Sequence, residues 1–136
     1  ILDLCVDYAN VRSQFGRPIG KFQAVQHMIA VLATETAAAE TASSIGLRAA
    51  GQDDPQFGAG IAKVRAGMAA GSVAALAHQV HGAIGVTDEY TLHYLTRRLW
   101  QWRADYGSEH EWGRRIGRTV QHAGGAGLWP LVTRAL

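Results

Sequence analysis

Phe22-Gln23-Ala24-Val25-Gln26-His27-Met28-Ile29-Ala30-Val31-Leu32-Ala33-Thr34-Glu35-Thr36-Ala37-Ala38-Ala39 opens a run that continues to about Ala50. Its core-side positions Val25, Ile29, Leu32, Thr36 and Ala39 step by three and four, the spacing of one helical face. At ~1.5 Å per residue the run is a rod about 40 Å long, the length of a bundle helix. Gly51-Gln52-Asp53-Asp54-Pro55 then supplies a glycine stop, an aspartate N-cap and a proline suited to a first helical turn. The next helix is expected to run to about Val80. It is dense in Ala59, Gly60, Ala62, Ala66, Gly67, Ala70, Gly71 and Ala74, side chains small enough to let a neighbouring backbone approach closely. Two long antiparallel rods in tight contact follow from that pairing.

Upstream, residues 1 to about 11 place Leu4, Tyr8 and Val11 on one face, with Leu2, Val6 and Ala9 beside them, as in a mostly buried helix. The pattern is in mid-stride at Leu2 and the first residue is Ile, so a fragment with its beginning further upstream is expected. Arg12 to Lys21 reads as a loop, because Gly16, Pro18 and Gly20 disfavour helix. Downstream, Gly82-Ala83-Ile84-Gly85 breaks the chain, and Thr87 or Asp88 caps a fourth helix to about Ala104 with Tyr90, Leu92, Leu95, Leu99 and Trp102 as its apolar side. Gly107 ends it. Ser108-Glu109-His110-Glu111 fits a capping box, serine oxygen taking the Glu111 amide while Glu111 reaches back, so a fifth helix begins there. Gly124-Gly125-Ala126-Gly127 and Pro130 interrupt what remains. The expected class is all-α: an antiparallel up-and-down bundle of four main helices and a short C-terminal one over residues 1–118, followed by a partly helical or loosely ordered tail, 119–136.

The 136 residues, 48% of them apolar, suit one domain with a real core. No stretch approaches the roughly 20 apolar residues of a membrane helix, and the opening Ile-Leu-Asp-Leu-Cys is acidic, unlike a signal peptide. No membrane partner is expected. A single cysteine, Cys5, offers no internal disulfide and fits a reducing, cytoplasmic compartment. The net charge is +2. Seven arginines crowd the end (Arg97, Arg98, Arg103, Arg114, Arg115, Arg118, Arg134), and pairing with Asp105, Glu109 and Glu111 accounts for them more simply than phosphate contacts. Trp100, Trp102 and Trp112 fall at helical spacing, so core or subunit-interface packing is favoured over stacking on nucleic-acid bases. His78 and His81 are three apart, and Glu89 and His93 four apart. No glutamate has a histidine three residues on, the spacing a di-iron bundle uses, so the histidines read as structural rather than metal ligands.

Two glycine-bounded bends, Gly82-Ala83-Ile84-Gly85 and Gly107-Ser108, precede helices, where outward amides favour anions. Arg12 beside the Gly/Pro loop adds a planar donor fork able to clamp a pyrophosphate. Taken together, Arg12-Ser13-Gln14-Phe15-Gly16, Ile19-Gly20, Gln23, Gln79-Val80-His81-Gly82-Ala83-Ile84-Gly85, Glu89-Tyr90 and Arg97 resemble the carboxy-terminal domain of acyl-CoA dehydrogenases. The resemblance spans residues 1 to about 118.

That resemblance implies a helical domain which, in a complete enzyme, follows an amino-terminal helical and a middle β domain. It implies self-association as a homodimer or homotetramer, or assembly with a paralogous subunit, and contact with the FAD of a neighbouring subunit. Arg12 matches the arginine on the pyrophosphate, Phe15 the aromatic near the flavin and Gln23 a polar cofactor contact. Gln79, Gly82 and Ala83 match the segment that meets the neighbour's FAD, and Ser108 a threonine that contacts it near the active site. The family reaction removes an α-proton from an acyl-CoA substrate while hydride passes from the β-carbon to FAD.

There are two departures. A usual Gly-Gly pair reads Gly82-Ala83, which adds a methyl where backbone nears cofactor. The run that carries the catalytic glutamate in many members reads Tyr106-Gly107-Ser108, and a phenol, ordinarily ionising near pH 10, is a poor base for an α-proton. Three sources of the base stay open: an upstream part of the first helix, another subunit of a heteromeric enzyme, or Asp105, Glu109 or Glu111. Alone, the chain is expected to be inactive and not to retain FAD. The other reading is a structural module whose role is oligomerisation.

Overall fold

A computed structural model describes residues 1–51 and 55–134. The chain is all-α in class, with helices α1 Leu2–Val11, α2 Gln23–Ala49, α3 Pro55–His81, α4 Leu92–Ala104 and α5 Glu109–Arg134. Among the described residues the only strands are two-residue pieces, β1 Ser13–Gln14 and β2 Arg17–Pro18. None of these helices is long and apolar enough to cross a membrane.

The chain divides into two compact units, Ile1–Ala37 with Ala69–Trp102, and Ala38–Met68 with Arg103–Leu136. In the first, Cys5 of α1, Leu32 of α2, Val73, Ala77 and Val80 of α3 and Leu92 of α4 form a buried cluster flanked by Leu4, Tyr8, Met28, Tyr90 and Leu99. The three-and-four stepping of each segment aims these side chains inward. Burial pushes the Cys5 thiol up to about 11, so it behaves as a small apolar group. In the second, the end of α2 meets the start of α3 antiparallel. A side-chain carbon on Gly46 would stand 2.7 Å from the Ala62 Cβ and 3.2 Å from the Gly58 carbonyl oxygen. The small residues therefore do what their density predicts and let the two backbones touch. Gly60 likewise seats Trp112 and Ile116 of α5, which lie 3.1 Å from where its side chain would begin.

Several local expectations change. Val11 belongs to no buried face and is 82% exposed, because α1 ends there and Arg12 turns extended. Helix α4 starts at Leu92, not at Thr87 or Asp88: Gly82–Val86 tightens into a 3-10 turn, and the Thr87 hydroxyl donates to the Ile84 carbonyl (3.0 Å) instead of capping. Leu95 and Trp102, placed on the apolar side of α4, are substantially exposed. The loop of residues 12–21 holds a hairpin, and residues 119–134 are helical apart from a break at Gly124 (φ 65°, ψ 175°). The aspartate cap expected at Asp53 or Asp54 lies outside the described residues.

Candidate functional site

Helix α1 stops at Arg12, whose N–H donates to the Tyr8 carbonyl (2.8 Å) while its own carbonyl accepts the Ile19 N–H (2.8 Å). Between those two bonds the chain reverses. Ser13 pairs with Pro18 and Gln14 with Arg17, leaving Phe15 (φ 50°) and Gly16 (φ 78°) at the tip. The Phe15 ring is 91% exposed and stands edge-on to Phe22 (6.1 Å), whose face carries the Arg17 guanidinium at 4.2 Å. Arg17 is thus held locally. Arg12 is exposed, and among the described residues no carboxylate pairs with it. Gln23, the first residue of α2 just after that loop, is exposed.

The second bend follows α3. Gly82 takes φ +63°, which L side chains rarely adopt, and nothing lies within 4 Å of where its side chain would stand. Gln79, Gly82 and Ala83 are all exposed. Gly85, by contrast, is buried because its missing side chain would meet the His81 Cβ at 3.0 Å and the Leu92 Cδ2 at 3.1 Å. The bend is anchored by His81, 4% exposed. Its Nδ1–H donates to the Ala77 carbonyl (2.8 Å), which leaves Nε2 to accept from the Tyr90 hydroxyl (3.1 Å). Tyr8 stacks on the His81 ring (4.4 Å), and its hydroxyl donates to the His81 carbonyl (3.3 Å). Burial lowers the His81 pKa, against the Ala77 hydrogen bond, and the nearby His78 lowers it further. Burial raises that of Tyr90, with Tyr8, Cys5 and Asp7 adding to it.

Sequence reasoning missed Tyr8, His81 and Tyr90 as a set. The available signal was a histidine directly before a glycine at the end of an apolar helix. The neighbouring histidines also serve the fold: His78 Nε2 meets the Thr96 hydroxyl at 2.9 Å, and His93 Nδ1–H donates to the Tyr90 carbonyl (2.7 Å). His78 Nδ1 is buried without a hydrogen-bond partner.

Tyr106 and Ser108 lie in the second unit. Tyr106 is 94% exposed at φ 61°, followed by Gly107 at φ 100°. The turn is pinned on both sides. The Trp112 indole N–H donates to the Tyr106 carbonyl (2.9 Å), Lys63 donates to the Arg103 carbonyl (2.9 Å), and Arg103 pairs with Glu109. Ser108 and Glu111 form the expected box: the Ser108 amide donates to the Glu111 carboxylate (2.8 Å) and the Glu111 amide to the Ser108 hydroxyl oxygen (3.3 Å). The Ser108 amide and hydroxyl hold the Glu111 carboxyl below its usual range. Partial burial pushes Glu109 upward, yet its own amide and Arg103 outweigh that and the net shift is down. Both carboxylates are weak bases by these contacts. Arg115 lies 4.7 Å over Trp112 and Arg98 5.6 Å over Trp102, so arginine–aromatic contacts form along α5 and α4. Among the described residues no three His, Cys, Asp or Glu side chains are grouped to hold a metal ion.

The structure therefore puts Arg12 and Phe15 on one loop with Gln23 at the helix start after it, and Gly82 and Ala83 on one bend with Gln79 at the helix end before it, both in the first unit and both tied to Tyr8. Residues 1–107 match the family model described as acyl-CoA dehydrogenase, C-terminal domain. The chain is 37% identical over 123 residues to acyl-CoA dehydrogenase FadE34 of Mycobacterium tuberculosis, covering 88% of this chain and 17% of that protein. A glutaryl-coenzyme A dehydrogenase solved as a glutaryl-CoA complex superposes with a TM-score of 0.83 at 30% identity, over 93% of this chain and 32% of that one. The ChsE4-ChsE5 complex from Mycobacterium tuberculosis gives 0.81 at 29% identity, over 86% and 32%. The chain thus spans about a third or less of the length of the proteins it matches.

Proposed function

The chain belongs to the acyl-CoA dehydrogenase family through its C-terminal domain, and from that premise we propose that it serves a flavin-dependent α,β-dehydrogenation of an acyl-CoA thioester by contacting FAD across a subunit interface. The observation that carries this reading is the pairing, in one unit, of an exposed arginine with no carboxylate partner among the described residues and an open, positive-φ glycine bend. Those features fit a dinucleotide: Arg12 presents a donor fork to a pyrophosphate, and the bend at Gly82 leaves room for backbone to approach. Gln79 offers an amide side chain beside it, and Phe15 an aromatic face. Gln23 offers a second polar contact; separately, in the second unit, Ser108 offers FAD a hydroxyl held by its capping bonds. Ala83 is exposed, so its extra methyl points to a slightly wider approach. Bound FAD supplies the hydride acceptor.

Of this chain's three carboxylates near Tyr106, Glu109 and Glu111 do not suit proton abstraction, and Asp105 stays a candidate. Glu111 is committed to the cap and Glu109 to Arg103, which favours a base on an upstream segment. A second reading is supported by Tyr106 at the usual glutamate position and by the two-protein ChsE4-ChsE5 relative: a subunit without a base of its own, working beside a paralogous chain, or a purely oligomerising module. Under both readings we propose a cytoplasmic dimer or larger assembly, the compartment supported by a lone buried cysteine with no disulfide. In the full-length flavoprotein, Arg12→Ala should weaken FAD binding roughly 10- to 100-fold, the value of a charge-assisted contact; equilibrium dialysis showing wild-type retention removes Arg12 from the site. A reading frame that continues upstream into a β-rich segment supports the enzyme, and a start codon beside Ile1 supports the module.

A further inference from the structure

One residue touches both segments proposed to meet the cofactor. The Tyr8 carbonyl accepts the Arg12 N–H (2.8 Å), and the Tyr8 hydroxyl donates to the carbonyl of His81 (3.3 Å), the residue bonded directly to Gly82. Its ring stacks on the His81 imidazole at 4.4 Å with 25° between planes. The far side of the bend is fixed to the same imidazole, because Tyr90 lies just past the 3-10 turn and bonds to Nε2. Tyr90 also meets Tyr8 edge-on at 6.0 Å. The result is a closed ring of His81, Gly82, the rest of the 3-10 turn, Tyr90 and back to His81, to which Tyr8 joins Arg12.

We propose that Tyr8, His81 and Tyr90 are positioning residues that lock the Arg12 end of α1 and the Gly82-Ala83 bend into one fixed arrangement, so that both meet a single dinucleotide without further ordering. None of the three needs to touch the cofactor. Their contribution is preorganisation: an arginine and a bend that moved independently would each lose freedom on binding, and the cluster removes that loss beforehand. Its chemistry suits the task, since two hydroxyls and one neutral imidazole satisfy each other and the chain carbonyls of Ala77 and His81 with no net charge buried.

The inference rests on the FAD reading above, and the test separates the two. Tyr8→Phe and Tyr90→Phe each delete one hydroxyl and keep the ring, so folding is preserved. In the full-length flavoprotein each should raise the FAD dissociation constant roughly fivefold, the effect of one neutral hydrogen bond; Tyr90→Phe also leaves the buried His81 Nε2 unpaired and should lower the melting temperature of the apoprotein, so affinity is read at a temperature where both variants stay folded. Combining Tyr8→Phe with Arg12→Ala should cost less than the product of the two separate effects, because Tyr8 acts partly through Arg12. Wild-type FAD affinity in both tyrosine variants overturns the proposal, as does a strictly multiplicative double variant, which is what a general structural role gives. If Arg12→Ala itself leaves affinity unchanged, it is the FAD reading that fails.

Discussion

His81 shows how a single buried group sets a pH limit. Its folded pKa lies below the ordinary value of 6.5 because burial disfavours the imidazolium. Between the two values the unfolded chain binds more protons than the folded one, so stability rises with pH there. The contribution is complete above pH 6.5 and is lost as pH falls through the folded value. Thermal melts from pH 7.5 to 5 should show the wild-type melting temperature falling faster below 6.5 than that of His81→Gln; parallel curves would remove His81 as the source. At this scale the sequence was uneven in what it disclosed. Ser108 and Glu111 were legible because a cap is local, decided by residues three apart. Tyr8 was not, because its carbonyl partner lies 73 residues away and its ring passes for ordinary core at a helical spacing. The left-handed backbone of Tyr106 was also invisible, since only the pinning by Trp112 and Arg103 on either side explains why a non-glycine residue stays there.

Elements were read well where their signals are periodic and poorly where tertiary contacts choose the boundary. The lengths of α2 and α3 came out within a residue or two of expectation. The start of α4 did not, because the buried Gly85 draws the chain into a 3-10 turn and delays the helix to Leu92. The hairpin of residues 13–18 is too short for any alternation to reveal it. Helix pairing makes a sharper prediction at Gly46. Alanine there gains about 1 kcal/mol of helix propensity, but its methyl lands 2.7 Å from the Ala62 Cβ, which has no flexible end to swing away. Overpacking of about 1–3 kcal/mol should win. Urea unfolding should find Gly46→Ala less stable than wild type, whereas Gly113→Ala, with nothing within 4 Å, should be at least as stable. Equal effects at both sites would mean the α2–α3 contact yields.

At the scale of the whole molecule, the fold class followed from composition and spacing, while the proposed function rests on motifs read through the family resemblance. Helix α5 continues to Arg134 although the family match stops at residue 107; the Gly-rich tail that breaks a simple pattern is accommodated by one positive-φ residue, Gly124. The chain covers 17% of the length of FadE34, and we propose that these helices alone do not hold the cofactor. The isolated 136-residue chain should therefore purify colourless; a stoichiometric yellow flavin band in the visible would show that these helices hold the cofactor unaided. The hairpin tip carries one more implication. The left-handed backbone at Phe15 props a nearly fully exposed phenyl group in water, so a surface that covers it dehydrates almost the whole ring, and an uncovered tip is an adhesive spot on the chain.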